Sequence, residues 1–497
     1  MEHTARVLII GTGFSGIALA CALQKAGITD VLLLEKADDV GGTWRENTYP
    51  GAECDVPSAL YSFSFEHNPT WHYKWSEQRQ ILEYLRRVAH KHELLAKIRF
   101  GQEVCSAQWN ESQQCWVVVT VAGDTFTAQF LVSGVGQLHR PAIPAMAGAE
   151  SFSGPSFHSA RWRHDVDLTG KRVAVIGNAA SALQFIPQIA KKAAQISVFQ
   201  RSANWVLPKQ DRAYLPFEQW LSDKIPWLTR LYRFRLWLFG ELFLFAIMRG
   251  NRVLRWWGER ETKRYLERTI TDPELRRKLT PDYPIGAKRV LFSDDYYDAM
   301  ARPNVELVTD GVAELTTLAV RCTSGREIAA DVLIYGTGFH SNPFLAPMAI
   351  AGRGGRLLAE AWSGGAQAYL GMMTSGFPNL FMMYGPNTNL GHNSIVVMIE
   401  AQAGYVVQAI QGAEARGAKV IEVRSEVEAA YNVEMQQRLA TMAWSQVAES
   451  WYKDRGRITN NWPGSTWEYI NRTRGVDWRA YRLEGASSSA RSITADA

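Results

Sequence analysis

Phe152-Ser-Gly-Pro-Ser-Phe-His158-Ser-Ala-Arg-Trp162-Arg163, continuing through Lys171-Arg-Val-Ala-Val-Ile-Gly177, lies between two sequence patterns of the same kind. Upstream, Arg6-Val-Leu-Ile-Ile10 reads as a buried parallel strand, and Gly11-Thr-Gly13-Phe14-Ser15-Gly16 as a tight turn. A helix follows from Ile17 to about Ala26, then the strand Val31-Leu-Leu-Leu34 with Glu35 at its end. Downstream, Val173-Ala-Val-Ile176 leads into Gly177-Asn178-Ala179-Ala-Ser181-Ala182, and Gln195-Ile-Ser-Val-Phe199 into Gln200-Arg201-Ser202. Strand, small-residue turn, helix and strand in this order make a dinucleotide-binding unit. A chain with two such units must bring two reactive rings together, and the segment between them sets that geometry. The fold class is α/β, with two Rossmann-like domains.

In the first unit, Gly11 permits the sharp turn, Gly13 lets backbone approach a pyrophosphate, and Gly16 lets helix and strand pack closely. The helix N-terminus offers unpaired N–H groups and a positive dipole end to the phosphates. Glu35, with Lys36 beside it, favours a free ribose diol and disfavours a 2′-phosphate. This site therefore suits FAD or NAD rather than NADP.

The second unit departs from GxGxxG. Ala182 is an accepted replacement at the helix-packing position. Ala179 puts a Cβ where a pyrophosphate approaches, which predicts a displaced or weakened cofactor rather than none. About 24 residues after Gly177, where an NAD site carries an acid, Arg201 is placed to pair with a 2′-phosphate, with Ser202 next to it. NADPH is favoured over NADH; the competing reading of Arg201 is a solvated surface charge.

Composition narrows the alternatives. At 497 residues, 46% hydrophobic and 21% charged, the chain has room for two or three cored domains and is neither disordered nor membrane-embedded in character. A formal charge of +5 is small for this length and no basic block matches a nucleic-acid reader. Cys21, Cys54, Cys105, Cys115 and Cys322 form no CxxC pair, which argues against a zinc site, a redox pair or a disulfide framework. The start lacks the regions of a secretory signal, so a cytoplasmic location is expected.

Between Trp205 and Asp282 the chain reads mostly helical, with basic and aromatic residues alternating. The apolar run from Leu236 to Met248 is broken by Glu241 and is too short to span a bilayer. Three readings compete: a packed helical subdomain, which is preferred, a lining for a substrate tunnel, and a surface resting on a membrane.

The linker spacing FxGxxxHxxxW and the loop Gly41-Gly42-Thr43-Trp44-Arg-Glu-Asn-Thr-Tyr49-Pro50-Gly51-Ala-Glu-Cys54-Asp55 resemble the fingerprints of class B flavoprotein monooxygenases, in their Baeyer–Villiger branch. The resemblance runs from about Arg6 to Trp478 and is nearest to members of the 4-hydroxyacetophenone monooxygenase type. It implies that Gly42, Thr43, Trp44, Tyr49 and Asp55 wrap a flavin. It makes Gly336-Thr337-Gly338 the segment returning to the flavin domain and Trp451 a cover for the nicotinamide end; the rival reading of Trp451 is an ordinary aromatic in a packed loop. In Gly286-Ala-Lys288-Arg289 the resemblance makes Arg289 the active-site arginine, held by Asp55, and Lys288 a partner of the 2′-phosphate beside Arg201. The competing reading of Arg289 is a structural ion pair between domains. His158 is read as part of a mobile linker rather than as a catalyst. Arg163 departs from the family, which has Pro or Asp after the linker Trp.

These readings divide the chain into an FAD domain with parts at 1–150 and 336–483, an NADP domain at 151–335 inserted into it, a helical insert at about 206–283 and a disordered tail at 484–497. Two dinucleotides allow hydride transfer to a flavin. Without a CxxC pair the remaining outlet for the electrons is O2, through a flavin C4a-peroxide. The expected reaction is conversion of a small ketone to an ester or lactone, with Arg289 and Asp55 as the catalytic pair. Two alternatives stay open: an S- or N-oxygenating flavin monooxygenase, and a flavin-binding protein without productive NADPH use.

Overall fold

The computed structural model describes residues 2–447 and 451–485. The strand Glu2–Ile10 pairs in parallel with Val31–Leu34 on one side and Thr125–Ser133 on the other. It begins earlier than Arg6, and the helix after it, Phe14–Lys25, starts directly behind Gly13 rather than at Ile17. An antiparallel pair, Val104–Asn110 and Cys115–Thr120, extends the sheet from the first half of Thr125–Ser133. The second half of that strand instead takes Leu380–Met382, in parallel, as its neighbour. Chain from far beyond the second unit thus completes the first sheet, so the second unit is an insertion into the first.

The second sheet is five-stranded and all parallel: Val305–Val308, Gln195–Phe199, Arg172–Ile176, Val332–Tyr335 and Ser156–His158, in that order. Buried parallel strands read as continuous apolar runs, which these are. An antiparallel three-stranded sheet, Val312–Leu315, Ala319–Cys322 and Glu327–Ala329, precedes Val332 and was not anticipated from its short strands.

The linker joins the units by packing. A Cβ on Gly154 would lie 2.3 Å from the Asp331 carbonyl oxygen, so the turn requires glycine. Phe157 meets Trp162 edge-on at 5.3 Å, and Trp162 packs at 5.3 Å on Phe185 of the helix Ala180–Ile189. His158 is buried, its Nδ1 accepts the Ala160 N–H at 3.1 Å, and its ring meets Phe339 at 5.6 Å. Arg163 pairs with Asp165 at the surface.

The region after Trp205 is helical as expected: Pro216–Lys224, Pro226–Phe239, a π-turn at Gly240–Leu244, Phe245–Met248, Arg252–Thr269 and Pro273–Leu279. No described helix is long and apolar enough to cross a membrane. Near the C-terminus, Glu484 closes the strand Tyr481–Glu484, paired with Val420–Val423, so the ordered chain reaches past the expected start of the tail. Residues 486–497 lie outside the described residues, as does Ser450.

Candidate active site

A cleft of about 370 Å³ runs along the C-terminal ends of the first sheet and reaches the second unit. Such a position follows from the doubly wound arrangement, in which strand ends and helix N-termini open onto one crevice. Gly11, Gly13, Phe14, Ser15, Glu35, Lys36, Gly42, Thr43, Trp44, Tyr49 and Asp55 line it from the first unit, and Ser181 and Arg289 from the inserted one. Thirteen expected site residues, spread over nearly 280 positions, therefore converge on one cavity.

The turn at its head is built from glycine contacts. Gly11 has φ +98°, and a Cβ there would lie 2.9 Å from the Gly134 carbonyl oxygen. Gly16 does not line the cleft; a Cβ on it would stand 2.0 Å from the Gly11 carbonyl, so it closes helix against strand. Gly13, by contrast, has open space in front of it, with only Gly42 Cα at 3.7 Å. That space, facing a helix N-terminus, fits a pyrophosphate. Glu35 is buried at the strand end, accepts the Thr12 N–H at 3.0 Å and hydroxyl at 2.7 Å, and meets Arg45 at 3.0 Å. Gln102, overlooked in the sequence, lines the same end and has a buried Oε1 with no protein partner. Farther along, Trp44 Nε1 donates to the Tyr61 hydroxyl at 3.1 Å, and Phe14 packs edge-on to Tyr61 at 5.0 Å.

The two units meet at Gln184 of the helix Ala180–Ile189. Its Oε1 accepts the Tyr49 hydroxyl at 2.8 Å and its amide donates to the Glu53 carbonyl at 3.0 Å. Burial pushes the Tyr49 phenol up to about 12, so it stays a neutral donor.

At this junction Arg289 Nε donates to Asp55 Oδ2 at 2.9 Å, with Nη2 on the same oxygen. A third of the Arg289 side chain faces the cleft. The Asp55 carboxylate raises its already high pKa, opposed by burial, so the guanidinium keeps its charge. Two phenols stand within its field. Tyr384 donates to Asn389 Oδ1 at 2.6 Å, and Asn389 Nδ2 donates to Asn461 Oδ1 at 2.9 Å. Tyr452 is fully buried and is pushed up to about 12 by desolvation. Tyr384, Asn389 and Tyr452 escaped the sequence reading because nothing local marks them.

Most of the remaining expected residues gather outside this cleft, around the start of the helix Ala180–Ile189. Asn178 Nδ2 donates to Gln200 Oε1 at 2.8 Å and to the Ser202 carbonyl at 3.0 Å, and Lys288 Nζ bonds Ser202 Oγ at 3.1 Å. Arg201 and Ala179 are exposed there, while Ala182 is buried. Gly177 has φ +94°, and a Cβ on it would lie 2.6 Å from the Gly336 carbonyl, repeating the Gly11–Gly134 contact of the first unit. Gly336 thus serves the second turn. Thr337 Oγ1 donates to the Ala142 carbonyl at 2.6 Å, Gly338 takes φ +79°, and it is Phe339 that reaches the cleft. Trp451 lies on Tyr452 at 4.3 Å and is not among the cleft residues.

Comparison with known proteins agrees with this geometry. The family model for flavin-binding monooxygenase-like proteins matches residues 4–352. The chain belongs to that family. A Baeyer–Villiger monooxygenase of Pseudomonas aeruginosa is 43% identical to this family member over 481 residues, 96% of this chain and 91% of the relative. Another from Streptomyces coelicolor is 42% identical over 485 residues, 97% and 93% of the two chains. Among solved structures, an oxidised steroid monooxygenase bound to NADP superposes with a TM-score of 0.87 at 31% identity, covering 97% of this chain and all of the other. A closed cyclohexanone monooxygenase gives 0.87 at 27% identity, covering 98% and 100%.

Proposed function

We propose that this flavin-dependent monooxygenase is a Baeyer–Villiger enzyme that uses FAD, NADPH and O2 to insert one oxygen atom beside the carbonyl of a small ketone, giving an ester or lactone. The observation that carries the reading is the Arg289–Asp55 pair, set in the cleft where the two nucleotide-binding units meet. We assign 1–150 and 336–483 to the FAD domain and 151–335 to the NADPH domain, because Leu380–Met382 returns to the first sheet.

FAD would be held by Gly11, Gly13, Glu35, Lys36, Gly42, Thr43, Trp44 and Tyr49, with Gln102 at the far end. NADPH would be held by Gly177, Asn178, Ser181, Ser202, Arg201 and Lys288, with its 2′-phosphate between the last two. Bound together, the two cofactors supply the reducing equivalents and the activation of O2. Arg289 supplies a fixed cation where negative charge develops on oxygen, and a preorganised charge in a partly desolvated site stabilises such charge without reorganising. Asp55 fixes the direction of that cation. Tyr49, Tyr384 and Tyr452 remain neutral phenols and so can donate hydrogen bonds without adding negative charge. Lys288 and Arg289 are consecutive, so one short segment faces both cofactor sites. No disulfide forms among the described residues, and we place the protein in the cytoplasm.

The test is anaerobic addition of NADPH to the yellow holoprotein, followed by air and a panel of ketones and sulfides. Bleaching of the flavin and ester formation support the proposal. Bleaching with sulfoxide alone would assign an S-oxygenase, and no bleaching with NADPH or NADH would remove the monooxygenase reading.

A further inference from the structure

The rod formed by Pro226–Phe239 and the π-turn Gly240–Leu244 carries its apolar side outward. Trp227, Leu231, Phe234, Phe239 and Leu242 recur at helical spacing and are all exposed, Trp227 at 62% and Leu242 at 57%. Phe239 stacks on Phe243 at 5.1 Å, and both rings are exposed. Three polar side chains of the same rod, Arg233, Trp237 and Glu241, point inward, whereas Arg230 and Arg235 are exposed. Arg233 is 8% exposed and donates to Ser62 Oγ at 2.7 Å, the Ser62 carbonyl at 3.1 Å and the Ala59 carbonyl. Trp237 Nε1 donates to Thr466 Oγ1 at 2.7 Å, and Glu241 accepts the Thr466 hydroxyl at 2.6 Å and the Asn393 amide at 2.8 Å. A surface helix normally buries apolar residues and exposes charged ones. Here large apolar side chains share the exposed side with arginines while Arg233 and Glu241 are turned inward, and hydrogen bonds hold those two in place.

The flanking elements continue the pattern. Phe217 stacks on Trp220 at 5.9 Å on the preceding helix, which is tied to the rod by Ser222 and Thr229 at 2.9 Å. Exposed Trp467 meets Trp237 edge-on at 6.5 Å. Exposed Val253, Trp256 and Trp257 open the helix Arg252–Thr269.

Charge decides what would cover such a face. Between Pro226 and Trp257 stand six Lys/Arg residues and one carboxylate, an excess equal to the +5 of the entire chain. That carboxylate is Glu241, which is turned inward, whereas Arg230, Arg235, Arg249 and Arg252 are exposed. A second copy would bring arginines against arginines, which is unfavourable. An anionic lipid surface satisfies both features, taking the rings at the acyl boundary and the cations at the headgroups.

We propose that this face docks the protein peripherally on an anionic lipid bilayer. The face also backs onto the cleft: Asn393 lines the cavity while its amide donates to the Trp237 carbonyl at 3.2 Å. A docked enzyme would draw apolar substrate from the membrane side. The docking itself does not depend on which substrate class is oxidised.

The experiment is flotation of the full FAD-loaded chain with vesicles of phosphatidylcholine alone or mixed with phosphatidylglycerol. The expected result is flotation with the mixed vesicles, little with phosphatidylcholine, and release by high salt as headgroup attraction is screened. Trp227→Ser with Phe234→Ser should lower the bound fraction roughly tenfold, as should Arg230→Glu with Arg235→Glu. Retained flavin and an unchanged rate of flavin bleaching by NADPH show that these variants are folded. Protein that stays at the bottom of the gradient with both vesicle types overturns the proposal, and so do variants that float like the parent. Light scattering that shows a dimer lost in the same variants also overturns it and gives the face to a second copy.

Discussion

Gly13 and Ala179 adopt the same backbone conformation, φ −78° and ψ −165° in one, φ −73° and ψ −174° in the other. Each immediately precedes the helix of its nucleotide-binding unit. The extended backbone at Ala179 suits any residue, and its methyl is exposed rather than pressed on protein. The departure from GxGxxG thus carries no strain within the fold, and its cost falls on the ligand alone. Ala179→Gly should tighten NADP+ binding by about threefold to tenfold, an effect of about 1 kcal/mol. Titration calorimetry of the two proteins measures it. Equal affinities would show that the pyrophosphate does not approach this methyl.

The Arg289–Asp55 pair predicts two graded losses. Arg289→Ala should lower ester formation on the order of 100-fold to 1000-fold, as expected when a charge stabilising a developing anion is removed. Arg289→Lys should recover only part, since an ammonium lacks the planar fork. Asp55→Asn keeps the cation but loosens its direction, and about 100-fold is reasonable for misplacement. Stopped-flow bleaching of the flavin should change little in Arg289→Ala, so a parallel collapse of both rates would contradict the assignment.

Lys288 and Arg201 should set the choice of nicotinamide cofactor. Hydrogen bonds to charged groups contribute roughly 1.5–3 kcal/mol each. Lys288→Ala should therefore reduce the NADPH over NADH preference in kcat/KM by about 10-fold or more. Removing Arg201 as well should bring the ratio near unity. An unchanged ratio in the double variant would place the 2′-phosphate elsewhere.

The structure also predicts an acid-sensitive linker. Desolvation lowers His158 from an ordinary 6.5 to about 4, and His139 at the cleft shifts the same way to about 4. In each case the unfolded chain binds protons more readily than the folded one. Stability is then fully present above pH 6.5 and declines as pH falls toward 4. Thermal melts across this window should show a shallower decline for His158→Gln than for the parent, whatever its stability at neutral pH. Parallel curves would mean that His158 does not titrate with unfolding.

The two turns were legible because their information is local: Gly11, Gly13 and Gly16, or Gly177 and Ala182, sit within a few residues of one another. The Arg289–Asp55 contact spans 234 positions and could be reached only through family resemblance. Gln102, Gln184, Tyr384 and Asn389 were missed for the same reason, since segments distant in sequence, one of them the helix Ala180–Ile189, bring them to the cleft and no periodicity records that. The insert shows a different limit. Its aromatic spacing identified helices and favoured a packed subdomain, but periodicity says only that one side is apolar, not whether protein covers it. Arg233 and Glu241 turned inward, and the rings were left outside.

The strand Thr125–Ser133 has one edge divided between Cys115–Thr120 and the far later Leu380–Met382. During translation, every strand of the parallel five-stranded sheet has been made once Tyr335 is added. The edge at Leu131–Ser133 still lacks its neighbour then, and the Leu131 amide and Ser133 carbonyl wait for Asn379 and Met383. The nascent chain can therefore finish its inner domain while the outer one stays open, an exposed strand edge being a template for mispairing. The order of completion is the reverse of the order of beginning: the domain begun first is the one completed last.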